Sequence, residues 1–272
     1  MLFVSRTTKT QLKPASFVMT STISPLSTED LLSLAKRCGA LYICPKRNGV
    51  HLGPLVAYTG KGNDNKRRVG EVYINFRMLE QHMPVVTTFA ENLRLDLVGE
   101  GLFFSFDTVC GVPSGGRTLG QELARVTSRR FVYPEKIKAP VCSGVSTESG
   151  GESKQRHSWS LDDFSFRPGE RVAIVDDVFN SFSSTDGVIT ALRAVGAQVT
   201  VLVSAFNRST LVHDGMYKGI PVQSAIHMPY ESWSQNSLTV LGDMNVNNVE
   251  WDPKTNWNRL MEVMARHVES AQ

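Results

Sequence analysis

The sequence predicts an α/β fold, a mostly parallel central sheet flanked by helices, and three observations lead to it. Residues 172–175, Val-Ala-Ile-Val, are a continuous apolar run of the kind a strand buried on both faces requires, and they deliver Asp176 and Asp177 to the strand's carboxyl end. An earlier stretch, DTVCGVPSGGRTLGQELA at 107–124, again runs strand, glycine-rich turn, helix. A further apolar run at 199–206 follows directly on the helix that succeeds the aspartates. Strands alternating with helices in this way build parallel units, whose ligands bind beyond the carboxyl ends of the strands.

Along the chain, residues 1–26 carry Arg6, Lys9 and Lys13, many Ser and Thr, and no acidic residue before Glu29. This composition fits a disordered or processed start; an organelle transit segment, or translation from Met19, fits the same facts. Residues 27–100 make an amino-terminal unit. It opens with a helix over 27–38, with a Ser or Thr cap, Glu29 and Asp30 in the first turn, Leu31, Leu32 and Leu34 as apolar contacts, and Gly39 as the stop. The core spans 101–230. Within it, residues 134–160 are rich in Gly, Ser, Glu and Lys without an apolar period, and predict a mobile loop.

After the aspartates, a helix shows Val188, Ile189, Leu192 and Val195 on one face, with Ser184 or Thr185 as its cap and Gly196 as its stop. Residues 231–272 form a carboxy-terminal extension. It ends in a helix over 256–268, with Leu260, Val263, Met264 and His267 on one face, that packs on the core or on a partner subunit.

The chemistry follows from the residue types. Two neighbouring carboxylates, Asp176 and Asp177, suit a pair of ribose hydroxyls or a divalent cation, both of which take oxygen ligands. Val178 and Phe179 lead into Asn180, Ser181, Ser183, Ser184 and Thr185, whose donors, with the backbone amides of the helix start, suit a phosphate. In the earlier turn, Val112, Pro113, Ser114, Gly115 and Gly116 let backbone amides approach a second anion closely.

These two turns, in this order and each between a strand and a helix, resemble the type I phosphoribosyltransferases, and orotate phosphoribosyltransferases most of all. The first resembles the family's signature for phosphoribosyl pyrophosphate (PRPP), and the second its pyrophosphate loop. Phe182 stands where the family has a glycine. The segments ALYICPKRNGVHLGPLVAYTG and VGEVYINFRMLE resemble the small amino-terminal hood of the orotate enzymes, and SAFNRS with GIPV their later strands.

The resemblance implies transfer of phosphoribose from PRPP to orotate, giving orotidine 5′-monophosphate and pyrophosphate, with Mg2+ as cofactor and a homodimer as assembly. It implies a PRPP site at Asp176 to Thr185, a base contact from Arg208, and catalytic cations Lys136, Lys138 and His157 on the loop, with Lys154 and Arg156 beside them. Lys46 and Arg47 face an anionic base or are solvated in a turn. Other readings stay open: an acidic cluster beside a plain strand-to-helix connection, a non-catalytic PRPP or nucleotide sensor of the same fold, or a transferase for another base.

Composition is consistent with one α/β domain carrying additions, at 272 residues with 41% hydrophobic and 20% charged. A net charge of +3 without a basic stripe does not indicate nucleic acid. Cys38, Cys44, Cys110 and Cys142 follow no metal-site spacing and predict reduced thiols, as in a cytoplasmic protein. No apolar run approaches the roughly eighteen residues that would span a bilayer.

Overall fold

Residues Arg171–Phe179 form the central strand, and their burial explains the apolar run. Val172 and Ile174 enter one core, whereas Ala173 and Val175 enter another on the opposite face. A strand clad on both sides has no polar face to display, so the usual alternation disappears. The computed structural model describes residues 24–61, 66–138, 157–234 and 248–269.

In chain order the elements begin with α1 (Thr28–Arg37), β1 (Leu41–Ile43), β2 (Lys46–Arg47), β3 (Val50–His51), β4 (Leu55–Lys61), β5 (Arg67–Gly70), β6 (Val72–Ile74), α2 (Phe76–Glu80) and α3 (Met83–Gly99). Next come β7 (Thr108–Gly111), α4 (Gly115–Thr127), β8 (Arg130–Val132), β9 (Glu135–Lys138), β10 (His157–Ser160), β11 (Arg171–Phe179) and α5 (Ser183–Ala194). The chain closes with β12 (Gln198–Asn207), β13 (Met216–Tyr217), β14 (Ile220–His227), β15 (Val249–Glu250) and α6 (Trp257–Glu269).

The main sheet has six strands in the order β13-β14-β12-β11-β7-β8, all parallel except the edge strand β13. Helices α1, α3 and α4 cover one face and α5 the other. From β7 the chain crosses through α4 outward to β8, and from β11 it crosses through α5 the other way to β12. The direction of winding therefore reverses between β7 and β11, which opens a crevice at their carboxyl ends.

The hood is a separate layer with its own core of Tyr42, Leu55, Val56, Tyr58, Val69, Trp257 and Leu260. Its strands are short, and the carboxy-terminal segment completes it: β15 pairs in parallel with β4, and α6 packs on β1. The described part of the extension, 231–234 and 248–269, thus belongs to the hood rather than standing apart from it. Leu260 is fully buried, and Trp257 donates its indole N–H to the Gly39 carbonyl at 2.9 Å.

At α1, Ser27 and Asp30 exchange the two hydrogen bonds of a capping box, as the Ser, Glu and Asp pattern predicts. Four expectations need correction. Strand β11 continues past the aspartates to Phe179, because β12 pairs with it as far as Asn207. The cap of α5 is Phe182, not Ser184 or Thr185, since the helix already starts at Ser183. Val195 lies past the last turn of α5 and is exposed. The ends of the 134–160 segment are strands: β9 and β10 pair antiparallel, with Lys136 opposite Trp159 and Lys138 opposite His157. Trp159 lies directly on Gly187 of α5, where a Cβ would strike its indole, so this hairpin is docked on the helix. The short alternation Lys-Ile-Lys against Ser-Trp-Ser was too brief to register as a period. Residues 139–156, with Lys154 and Arg156, lie outside the described residues.

No helix among the described residues is long and apolar enough to cross a membrane. Cys38, Cys44 and Cys110 are free thiols, as expected, and burial pushes Cys44 up to about 11 and Cys110 up to about 12. Cys142 lies outside the described residues.

Candidate functional site

At the crevice between β7 and β11 lies a cleft of about 410 Å³, lined by Val112 to Gly115, by Lys136, by Asp176 to Thr185, and by Lys254. Two segments about sixty residues apart in the chain are therefore brought to one wall, each by its own strand. Gly116 is not on the wall itself. It packs beneath, where a Cβ would run into the Val175 carbonyl and the Asp176 backbone. At Gly115 a Cβ would collide with the Asp177 carboxylate. The two glycines therefore bring the turn against the aspartate-bearing strand closely enough for the two to share one ligand.

Both helices that border the cleft begin without a side-chain cap: Ser114 precedes α4 and Phe182 precedes α5, and neither makes a capping hydrogen bond. An uncapped helix start leaves backbone N–H groups unsatisfied, and together with the helix dipole these favour an anion. Two such starts open on one cleft. Thr185 adds to this: its side chain is buried beside Asp176, and its hydroxyl has no hydrogen-bond partner among the described residues. The Pro113–Ser114 peptide bond is cis.

Asp176 and Asp177 are held in place by local backbone bonds. Asp176 Oδ1 accepts from the Asp177 N–H at 3.0 Å, and Asp177 Oδ1 accepts from the Val178 N–H at 2.9 Å. Burial and the neighbouring Asp177 charge hold the Asp176 carboxyl well above the usual carboxylate range. Burial also raises Asp177, against the pull of its hydrogen bonds and of the Lys254 charge. Like charges taken out of water resist ionisation together, so the pair is primed for a cationic or hydrogen-bond-donating partner.

Phe182 supplies the left-handed corner of the loop, with φ 56° and ψ 9°. Its ring is sandwiched between Phe179, 4.6 Å away, and Tyr217, 3.9 Å away, and is almost fully buried. Tyr217 in turn donates to Asp186 at 3.0 Å, and Lys218 reaches the same carboxylate at 2.9 Å. The loop shape that a glycine adopts freely is thus held here by an aromatic stack.

Arg208, to which the resemblance assigns a base contact, is engaged by the hood and by the loop. It donates to the Val72 carbonyl at 2.6 Å and to Asn180 Oδ1 at 3.2 Å, with its guanidinium 3.6 Å from the Tyr58 ring centre. It is buried behind the loop, joins the hood to Asn180, and is not among the residues lining the cleft. Lys136 does line the cleft, placed there by the hairpin that Trp159 anchors on α5. The backbones of Lys138 and His157 pair with one another, but their side chains lie outside the described residues. Lys46 is exposed, in keeping with a solvated turn, and forms an ion pair with Glu71 at 2.6 Å. Arg47 is exposed on β2.

Sequence reasoning missed Lys254. It sits in the carboxy-terminal segment, away from any strand-turn-helix motif, and only the folding of α6 back onto the hood brings it to the cleft.

No protein-family model matches this sequence. Among curated proteins, the chain is 38% identical over 120 residues to an adenine phosphoribosyltransferase of Synechococcus, a match covering 43% of this chain and 62% of that protein. It is 30% identical over 138 residues to an orotate phosphoribosyltransferase of Thermotoga maritima, covering 49% of this chain and 63% of that protein. The chain thus spans less than two thirds of either relative's length. Among solved structures, it is similar to UMP synthase of Leishmania donovani, with a TM-score of 0.49 at 15% identity, covering 74% of this chain and 36% of the other. Orotate phosphoribosyltransferase of Aeropyrum pernix gives a TM-score of 0.46 at 22% identity, covering 78% of this chain and 98% of the other. The chain resembles the type I phosphoribosyltransferases, and its similarity is shared between the adenine and orotate enzymes.

Proposed function

We propose that this protein transfers a phosphoribosyl group from PRPP to a nucleobase, with orotate as the base and pyrophosphate as the second product. The observation that carries the proposal is one cleft in which two uncapped helix starts flank a half-buried pair of carboxylates. PRPP carries an anion at each end and a diol between them, and this arrangement offers an anion site on each side of a diol site.

In this reading the Asn180 to Thr185 loop holds the 5′-phosphate through the amides of α5 and the Thr185 hydroxyl. The turn from Val112 to Gly116, with Lys136, holds the pyrophosphate. Asp176 and Asp177 accept from the ribose hydroxyls. As the bond from the anomeric carbon to pyrophosphate breaks, the ribose gains oxocarbenium character, and the carboxylates at its hydroxyls stabilise the developing positive charge. No covalent nucleophile is required. A base approaching from the hood side then takes the anomeric carbon.

Mg2+ fits this donor set only in part. Asp176 and Asp177 supply two oxygen-bearing side chains, and among the described residues no cluster of three acidic, His or Cys groups exists. Mg2+ would therefore be held by Asp176 and Asp177 together with oxygens of the substrate. Its contribution is to neutralise charge on the departing pyrophosphate.

The same site accommodates a second reading in which adenine is the acceptor, favoured by the match to the Synechococcus enzyme. The deciding assay incubates the protein with PRPP and Mg2+ and follows orotate by its ultraviolet absorbance and adenine by chromatography. Loss of orotate with release of pyrophosphate is expected; consumption of adenine alone would move the assignment to a purine. Binding of PRPP with no base consumed would leave the protein as a sensor.

The glycine contact gives a further prediction. Gly115→Ala falls at a helix start, where propensity favours Ala, but its Cβ collides with the Asp177 carboxylate and something must shift, so stability should fall by about 1–3 kcal/mol. The new methyl group displaces the Asp177 carboxylate. Calorimetric titration should show PRPP affinity reduced about tenfold or more, the equivalent of one charge-assisted hydrogen bond. Unchanged affinity would remove Asp177 from the ribose site.

A further inference from the structure

The carboxy-terminal turn that precedes α6 is braced on every side. Glu250 Oε1 accepts from the Asp252 N–H at 2.9 Å and from Asn256 Nδ2 at 2.9 Å, and Asp252 accepts from the Thr255 hydroxyl at 2.7 Å. Pro253 and Trp257 are buried on either side of Lys254. The backbone of Lys254, an exposed residue, is therefore carried at a fixed position by a segment that is itself paired into the hood through β15. It projects from this turn onto the cleft wall and forms no ion pair among the described residues. Its charge reaches Asp177, whose carboxyl it helps to hold down against burial.

A lysine ammonium is a compact point charge, well matched to an oxyanion that arrives with the ligand. Such a group, exposed on the cleft wall near Asp177 and held in no salt bridge among the described residues, is available to an anion that enters the cleft. We propose that Lys254 is a binding residue that contacts an oxyanion of the bound substrate, either the pyrophosphate of PRPP or a carboxylate on the base. This rests on the phosphoribosyl-transfer reading above. It makes the hood, through its carboxy-terminal turn, a contributor of charge to the site and not only its cover.

The test compares wild type with Lys254→Gln and Lys254→Arg, using calorimetry with PRPP and Mg2+, with inorganic pyrophosphate alone and with ribose 5-phosphate alone, followed by KM for the base. If Lys254 meets the pyrophosphate, Lys254→Gln weakens PRPP and pyrophosphate about tenfold and leaves ribose 5-phosphate unchanged. If it meets a base carboxylate, PRPP binding holds and KM for orotate rises about tenfold, with little effect on adenine. In either case Lys254→Arg recovers most of the loss, since charge is retained. Wild-type affinities for PRPP, pyrophosphate and orotate in a Lys254→Gln protein of unchanged Tm would overturn the proposal while leaving the site reading intact. A wild-type protein that binds no PRPP would overturn both.

Discussion

Replacing Asp176 and Asp177 together by Asn is expected to weaken PRPP binding about a hundredfold or more while raising the stability of the ligand-free protein. The first effect follows from losing two charge-assisted contacts, each worth about 1.5–3 kcal/mol. The second follows from the direction of the pKa shifts. Both carboxyls are raised by burial, and Asp176 further by its neighbour's charge. Between the unfolded carboxylate value and these raised values the folded protein binds more protons than the unfolded chain, so stability falls as pH rises through that window. The wild type is therefore penalised at neutral pH and not below the unfolded carboxylate range.

Thermal melts should show the double Asn variant a few degrees more stable than wild type near pH 7, converging with it on acidification toward pH 3. PRPP affinity of the wild type should move the opposite way, weakening as pH falls, because the protonated pair no longer offers two acceptors. A double variant that binds PRPP as tightly as wild type would end the assignment of the ribose site to this pair. A variant that is less stable at neutral pH would show that the pair is satisfied in the empty protein.

The strand, turn and helix units were legible because each is written in contiguous residues. The apolar run into Asp176 and Asp177 fixed both the strand and the place where its ligand-facing groups emerge, and Val112 to Gly116 fixed the opposing turn. Parallel topology then brings the two together, since both lie at carboxyl ends of neighbouring strands. What escaped was long-range. Lys254 reaches the cleft only because β15 pairs with β4 far back in the chain. The turn of Arg208 toward Val72 and Tyr58 depends on hood residues distant in sequence. Trp159 on Gly187 places Lys136 through a contact that no local period announces. Such partners are set by tertiary packing, which residue spacing does not encode.

Phe182 was legible in sequence only as a departure, and its packing shows what holds it in that place. A bulky residue held at φ 56° costs about 1–3 kcal/mol in backbone strain. Burying a Phe side chain returns about 1.5–3 kcal/mol, and each aromatic pair adds about 0.5–1.5 kcal/mol. With rings on both faces, at 4.6 and 3.9 Å, the favourable side prevails. The stack spans β11, the loop and β13, so it fixes the loop through contacts that a glycine lacks.

Phe182→Ala should therefore lose about 3–4 kcal/mol, close to the cost of emptying an aromatic core site. Phe182→Gly should lose about 1 kcal/mol less, because glycine relieves the left-handed backbone. Phe182→Leu, which keeps the burial but not the stacking, should fall nearer to wild type than either. In all three the loop from Asn180 to Thr185 is held less firmly against Phe179 and Tyr217, least firmly in Phe182→Gly and Phe182→Ala, and the ordering cost is transferred to ligand binding, so PRPP affinity falls with stability. Denaturant unfolding and calorimetry on the series check both trends. Should Phe182→Gly bind PRPP more tightly than wild type, the aromatic corner obstructs a phosphate site instead of shaping one, and the chain is a descendant that no longer uses it.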